Sequence, residues 1–154
     1  MRKFLMIPAL LSLFMLNVAS MCSKDDDNSS SNSQNNQVQV VNTVQNGTWR
    51  ITLFDDSGTI KTTNFTGVNF TFGNNNVLTA TGSSTVTGIW SITDSNSNDD
   101  TLSDLHFNIA FSSPANYMDL SDDWDIIERT DTKIRLQDVS GGNGGTDYLT
   151  FEKN

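Results

Sequence analysis

Cys22 is the residue whose chemistry says most about this chain, because it is the only cysteine and its surroundings are distinctive. A cationic start at residues 1–3 precedes an apolar run over residues 4–18, and the cysteine follows that run closely. This order predicts a secretory signal over residues 1–21 that ends just before the cysteine. The run is shorter than the roughly 20 apolar residues that a membrane-spanning helix requires.

Residues that could support catalysis are sparse in the rest of the chain. His106 is the only histidine, and its alternation with Leu105 and Phe107 points it toward solvent. Nucleophilic catalysis needs a base within hydrogen-bond reach of the nucleophile, and the sequence offers no such pair. We therefore expect no enzymatic activity and no cofactor.

One polar segment offers oxygen atoms at alternate positions, as calcium-binding loops do. These residues are Asp94, Asn96, Asn98 and Asp100. An EF-hand is excluded, because its glycine at position six and its glutamate at position twelve are replaced by Asp99 and Leu105. A looser calcium site and a solvated hairpin loop are the two remaining interpretations. We favour the loop and predict no metal site.

The composition is acidic, with 18 acidic and 9 basic side chains and a formal net charge of −9. Such a surface repels phosphate backbones, so we expect no nucleic-acid partner. The length fits one domain. Residues 28–37 are almost entirely Asn, Ser and Gln, which cannot bury a core, and we expect residues 22–37 to form a disordered tether. The folded domain then covers residues 38–154, with no indication of its oligomeric state.

From residue 47 onward, apolar and polar residues alternate, with turn residues at short intervals. This pattern predicts an all-β, antiparallel domain of about eight strands. The inward-facing residues of the first strand are expected to be Trp49, Ile51 and Leu53. Residues 38–45 fit either a short helix or a ragged strand, and we prefer a helix that flanks the domain. A single helical turn is expected near residues 115–120.

The residues around Cys22 resemble the lipidation site of bacterial lipoproteins, in which small residues precede an acylated cysteine. Ala19 and Ser20 fit this pattern, whereas Met21 is bulkier than the usual residue. The alternative is ordinary signal-peptidase cleavage after Ser20, which leaves a periplasmic protein with a free thiol. The residues behind the cysteine resemble the surface-export signal of Bacteroidota lipoproteins, and they are Lys24, Asp25 and Asp26. The resemblance implies outer-membrane attachment through lipid on Cys22, with the domain facing the cell exterior.

The tripeptide Asp100-Thr101-Leu102 matches the short O-glycosylation acceptor pattern of the same bacterial group. Thr101 would carry the glycan. An accidental tripeptide is the alternative explanation.

A Gly-x-Trp motif, Gly47-Thr48-Trp49, opens the first predicted strand and resembles the motif of the lipocalins. The stretch from residue 47 to residue 154 looks like the lipocalin-like domains of Bacteroidota lipoproteins. The resemblance implies an up-and-down barrel with the indole at its floor and a small, often apolar ligand in its mouth. The arginine that stacks on the indole from the last strand is missing, and Arg135 is the candidate substitute. The side chains expected at the barrel floor or cavity are Trp49, Phe70, Trp90 and Phe107, and for both tryptophans the alternative is plain core packing.

Two functions are consistent with these features. The first is a surface-exposed outer-membrane lipoprotein whose barrel binds a small apolar or amphipathic ligand. The second is a structural module, or one that interacts with proteins or glycans, with a filled barrel and no small-molecule ligand. An open apolar interior would favour the first function, and a packed interior would favour the second.

Overall fold

The computed structural model describes residues 29–94, 102–140 and 144–154 of the chain. The helices and strands are, in chain order, α1 (Ser29–Gln45), β1 (Trp49–Asp56), β2 (Thr59–Ile60), β3 (Asn69–Phe72), β4 (Val77–Thr81), β5 (Thr85–Asp94), β6 (Leu105–Ala110), α2 (Ala115–Met118), β7 (Asp122–Arg129), β8 (Lys133–Val139) and β9 (Thr146–Lys153). Short 3-10 turns span Thr62–Phe65, Asn74–Asn76 and Leu102–Asp104. Within the described ranges, no helix has both the length and the apolar character needed to cross a bilayer.

The strands form a closed antiparallel barrel. β1 pairs with β3, each strand from β3 to β8 pairs with the next, and β9 returns to pair with β1. These eight strands confirm the predicted barrel. The ninth strand, β2, pairs only with β1 and extends its hairpin by two residues. Closure pairs the first strand with the last and removes the exposed edges that an open sheet would have.

The antiparallel order fixes which connections meet at each end of the barrel. The lower end carries the start of β1, the β3–β4 and β7–β8 turns, and the end of β9. The upper end carries the β1–β2, β4–β5, β6–β7 and β8–β9 connections. The predicted helical turn near residues 115–120 is confirmed as α2, and it lies in the β6–β7 connection.

Helix α1 covers the lower end, as the helical interpretation of residues 38–45 predicts. Val40 and Val44 are fully buried against the barrel, and the Gln37 amide donates a hydrogen bond to the Ile92 carbonyl at 2.7 Å. The helix begins at Ser29, so it includes residues 29–37, the later part of the predicted tether.

Two bulges shift the alternation of inward and outward residues. The pairing of β1 with β9 slips between Ile51 and Leu53, which turns Phe54 into the barrel. The prediction that Leu53 faces inward is therefore wrong: Leu53 is half-buried, whereas Phe54 is 1% exposed. An extra residue in one strand moves every later side chain to the opposite face. A second slip in β7, after Ile126, has the same effect.

Candidate functional site

Aromatic side chains fill the interior of the barrel. The four residues predicted at the floor or cavity, Trp49, Phe70, Trp90 and Phe107, all lie inside and are at most 5% exposed. Phe72 is central, and its ring centroid lies 5.3 Å from that of Phe107 and 5.5 Å from those of Trp90 and Phe151. Edge-to-face contacts at these distances are typical of a tightly packed aromatic core. The space where a lipocalin would hold its ligand is occupied by side chains.

Trp49 closes the lower end together with α1 and the last strand. Its indole N–H donates to the Val44 carbonyl at 2.8 Å, and the Lys153 ammonium lies 5.7 Å from the ring centroid. Gly47 lies beside this lysine, and its positive φ of 101° is a backbone conformation that residues with a Cβ rarely adopt. Lys153 thus provides the cation that was expected from Arg135. Arg135 faces outward instead and pairs with Glu128 at 3.1 Å.

Phe65 and Tyr117 close the upper end. Phe65 belongs to the 3-10 turn after β2, Tyr117 belongs to α2, and their ring centroids are 5.4 Å apart. Below them, Phe70 lies 6.0 Å from Phe65, and Phe111 lies 5.3 Å from Tyr117. In a lipocalin-like barrel this end would be the open mouth. Here two aromatic side chains plug it, and neither was identified from the sequence.

An ion-pair bridge ties these two plugging segments together at the surface. Lys61 precedes the 3-10 turn, and its ammonium lies 2.8 Å from an Asp119 oxygen beside α2 and also contacts Asp56. The hydrogen bonds to Asp119 and Asp56 raise the pKa of Lys61 above its ordinary 10.5. The bridge therefore holds the upper closure in place while the lysine is charged.

The polar atoms of all three tryptophans are used inside the protein. Besides Trp49, the Trp90 N–H donates to the Gly73 carbonyl at 3.0 Å, and the Trp124 N–H donates to the Leu120 carbonyl at 3.1 Å. Each acceptor lies in a segment that covers one end of the barrel. Buried indoles usually find such partners. The tryptophans thus act as ties between the barrel and its end segments, which agrees with the core interpretation of Trp49 and Trp90.

Most of the other predicted site residues lie outside the described part of the chain. These are Cys22, Lys24, Asp25, Asp26, Asn96, Asn98, Asp100 and Thr101. Asp94 is the last residue of β5. His106 faces the outside of β6 but is half-buried, and its Nδ1 lies 3.4 Å from an Asp125 oxygen. Among residues 29–94, 102–140 and 144–154, no group of His, Cys, Asp or Glu side chains is arranged to hold a metal ion.

The charged side chains are concentrated on one half of the barrel. β7 carries five, and β8, β9 and β1 carry three each. Burial raises the pKa of the Asp122 carboxyl, at the start of β7, and the nearby carboxylates of Asp123 and Asp138 raise it further. In contrast, β3, β4, β5 and β6 contain a single formally charged residue, Asp94, at the lower end.

We call the outward side of β3 to β6 the uncharged face. The strand register sets its exposed or half-exposed side chains in rows across the strands. One row is Thr71, Thr79 and Thr87, the next is Val77, Ile89 and Ala110, and a third joins Thr81 to Thr85. The face is therefore hydroxyl-rich with an apolar stripe across its middle. Ile89 is 62% exposed and Val77 is 40% exposed, so the stripe is open to solvent.

Two hollows flank Ile89 on the uncharged face. The one toward the upper end has a volume of about 380 Å³ and reaches Gly88, Phe111 and Ser112. The one toward the lower end has a volume of about 150 Å³ and reaches Trp90, Ser91 and Asn108. Ile89 thus stands as a protruding apolar side chain between two shallow depressions. This relief distinguishes the stripe from isolated exposed hydrophobic residues, which are common on proteins.

A sequence signal for this face exists and was missed. From Thr62 to Thr93 the chain holds no Asp, Glu, Lys, Arg or His, although charged residues make up 18% of the whole. The strands within that segment are neighbours in the barrel, so their lack of charged residues produces one continuous uncharged surface. Reading it requires the strand order, because the alternation of inward and outward residues alone does not show which strands adjoin.

The barrel is consistent with a lipocalin-like fold. Comparison of the chain with protein-family models, curated proteins and solved structures finds no match. The features of the molecule that bear on its function are therefore the filled interior and the outer surface.

Proposed function

We propose that this protein is a surface lipoprotein whose filled barrel is a rigid head that engages a partner through its outer surface. The observation that carries this proposal is the packed interior, plugged by Trp49 at one end and by Phe65 and Tyr117 at the other. A small-molecule carrier needs an apolar cavity that encloses most of its ligand. In this barrel that volume is occupied by the protein's own aromatic rings.

The outer surface supports the same conclusion. The uncharged face presents exposed Ile89 and Val77 beside hydroxyl side chains, within a protein of formal net charge −9. Exposed apolar stripes with local relief are typical of interaction surfaces. The tether and lipid at Cys22 would hold this face at the cell surface, where the export signal at residues 24–26 would place it.

The filled barrel is tested by titrating the intrinsic tryptophan fluorescence with a panel of lipids, haem and flavins. We expect no saturable change, because Trp49 and Trp124 are at most 1% exposed and Trp90 is 5% exposed. A saturable change for one of these compounds, with Phe65 and Tyr117 needed for it, would favour the ligand carrier instead.

The membrane attachment has its own test. Cys22→Ala should release the protein from the membrane fraction, whereas Ser23→Ala, next to it, should leave it there. Alanine at Lys24, Asp25 and Asp26 together should protect the domain from protease added to whole cells. If the Cys22→Ala variant stays with the membrane, the lipid attachment is wrong.

A further inference from the structure

The uncharged face is where two copies of this protein could approach at the least electrostatic cost. Each chain carries a formal net charge of −9, so two copies repel each other at long range. The charged side chains lie mainly on β7, β8, β9 and β1, on the other half of the barrel. A contact between two uncharged faces keeps these charges far apart and buries no ion. A strongly charged partner would find no opposite charge on this face.

The uncharged face carries both a protruding side chain and a depression beside it. Ile89 protrudes and is 62% exposed, and the smaller hollow beside it, toward the lower end, has a volume of about 150 Å³. In a two-fold interface each patch meets its own copy, so a protrusion must be matched by a depression in the same patch. A two-fold axis crossing β5 between Ile89 and this hollow would place each Ile89 side chain in the hollow of the other copy.

The remaining side chains of the face suit such a contact. Val77 and Ala110 flank Ile89 in the same row and extend the apolar stripe over three strands. Thr79 and Thr87 lie in the neighbouring row, and their hydroxyls can donate and accept hydrogen bonds with the same groups of a second copy. An apolar centre with a neutral polar surround is the usual arrangement of a protein interface.

We propose that the partner of the uncharged face is a second copy of this chain, bound through a two-fold contact centred on Ile89. This inference rests on the proposed function, because it names the partner of the same surface. Attachment of many copies to one membrane would raise their effective concentration and favour the pairing.

The test is sedimentation equilibrium of the full chain, purified from the cells that produce it, over a wide range of concentration. We expect the apparent mass to rise toward twice that of one chain. Ile89→Asp should raise the dimer Kd by on the order of tenfold or more, because it removes the protruding side chain and buries a charge. Val139→Asp is the matched control, since Val139 is 60% exposed on β8, away from the face, and should leave Kd unchanged.

Salt provides a second readout. Added salt screens the repulsion between two acidic copies without weakening an uncharged contact, so it should tighten the dimer. A chain that stays monomeric at every concentration overturns the second-copy inference, as does a control variant that weakens association as much as Ile89→Asp. Neither result bears on the filled barrel, which the fluorescence titration tests separately.

Discussion

Removing the Phe65 ring should both destabilise the barrel and open its upper end. Phe65 is 1% exposed, and its ring centroid lies 5.4 Å from that of Tyr117 and 6.0 Å from those of Phe54 and Phe70. Replacing a buried phenylalanine of this kind with alanine costs about 3–5 kcal/mol. Domains are stable by about 5–15 kcal/mol, so Phe65→Ala should remain folded with a much lower urea midpoint. The assay is urea unfolding followed by tryptophan fluorescence.

The same variant should acquire a binding site that the wild type lacks. A dry apolar cavity of the size of a phenyl ring can accept benzene, and binding to the folded state raises the free energy of unfolding. We therefore expect benzene to raise the urea midpoint of Phe65→Ala and to leave the wild-type midpoint unchanged. Ile60→Ala is the control, because Ile60 is 59% exposed just before the same turn and should change stability by no more than about 0.5 kcal/mol. A loss below about 1 kcal/mol for Phe65→Ala would refute the reasoning, because a buried plug of this size cannot cost so little.

Three further changes test the closure of the barrel ends. Gly58→Ala and Gly47→Ala should each cost about 1–2 kcal/mol in urea unfolding, because their φ angles of 88° and 101° are unfavourable for a residue with a Cβ. The Lys153 side chain that the new Cβ would meet at position 47 is flexible and can move aside, so a much larger loss for Gly47→Ala would show that this lysine is held rigidly over Trp49. Arg129→Met should speed amide hydrogen exchange in α1, because it removes two hydrogen bonds to that helix. Arg135→Met, which instead removes a hydrogen bond to Glu128 on β7, should not. Faster exchange in both variants would contradict this role. The pKa of Lys61 is raised above 10.5 in the folded state, so its ion pairs stabilise the fold below pH 10.5, and this stabilisation is lost as the pH rises through the folded-state pKa. Lys61→Met should therefore lower the urea midpoint below pH 10.5 and have less effect well above it.

The strands were predictable because their residues alternate and their turns are rich in Gly, Asn and Ser. The sequence places a strand at each of the eight barrel positions, and it places the helical turn near residues 115–120. Bulges were not predictable, since the extra residue at Ile51/Leu53 leaves no mark in the apolar pattern and the adjacent Phe54 is as apolar as Leu53. The predicted side of a residue can therefore be wrong even where the strand itself is predicted correctly.

The filled interior was harder to predict than the fold. Phe65 and Tyr117 lie in connections, where isolated aromatic residues look like ordinary loop residues, and only the three-dimensional arrangement brings their rings within 5.4 Å. The cation over Trp49 is Lys153, which the lipocalin resemblance does not predict because the residue at that place in the lipocalin pattern is an arginine. The uncharged face depends on which strands are neighbours in the barrel, and no single segment of the sequence shows this.

The most direct test of the central claim is xenon bound to crystals of the protein under gas pressure. Xenon enters dry apolar cavities that are large enough to hold it, as benzene does. We predict no xenon atom among the rings of Phe65, Phe70, Phe111 and Tyr117, because these side chains fill the upper half of the barrel. A well-occupied xenon site at that position would show that the barrel holds a cavity and would contradict the account of a filled head.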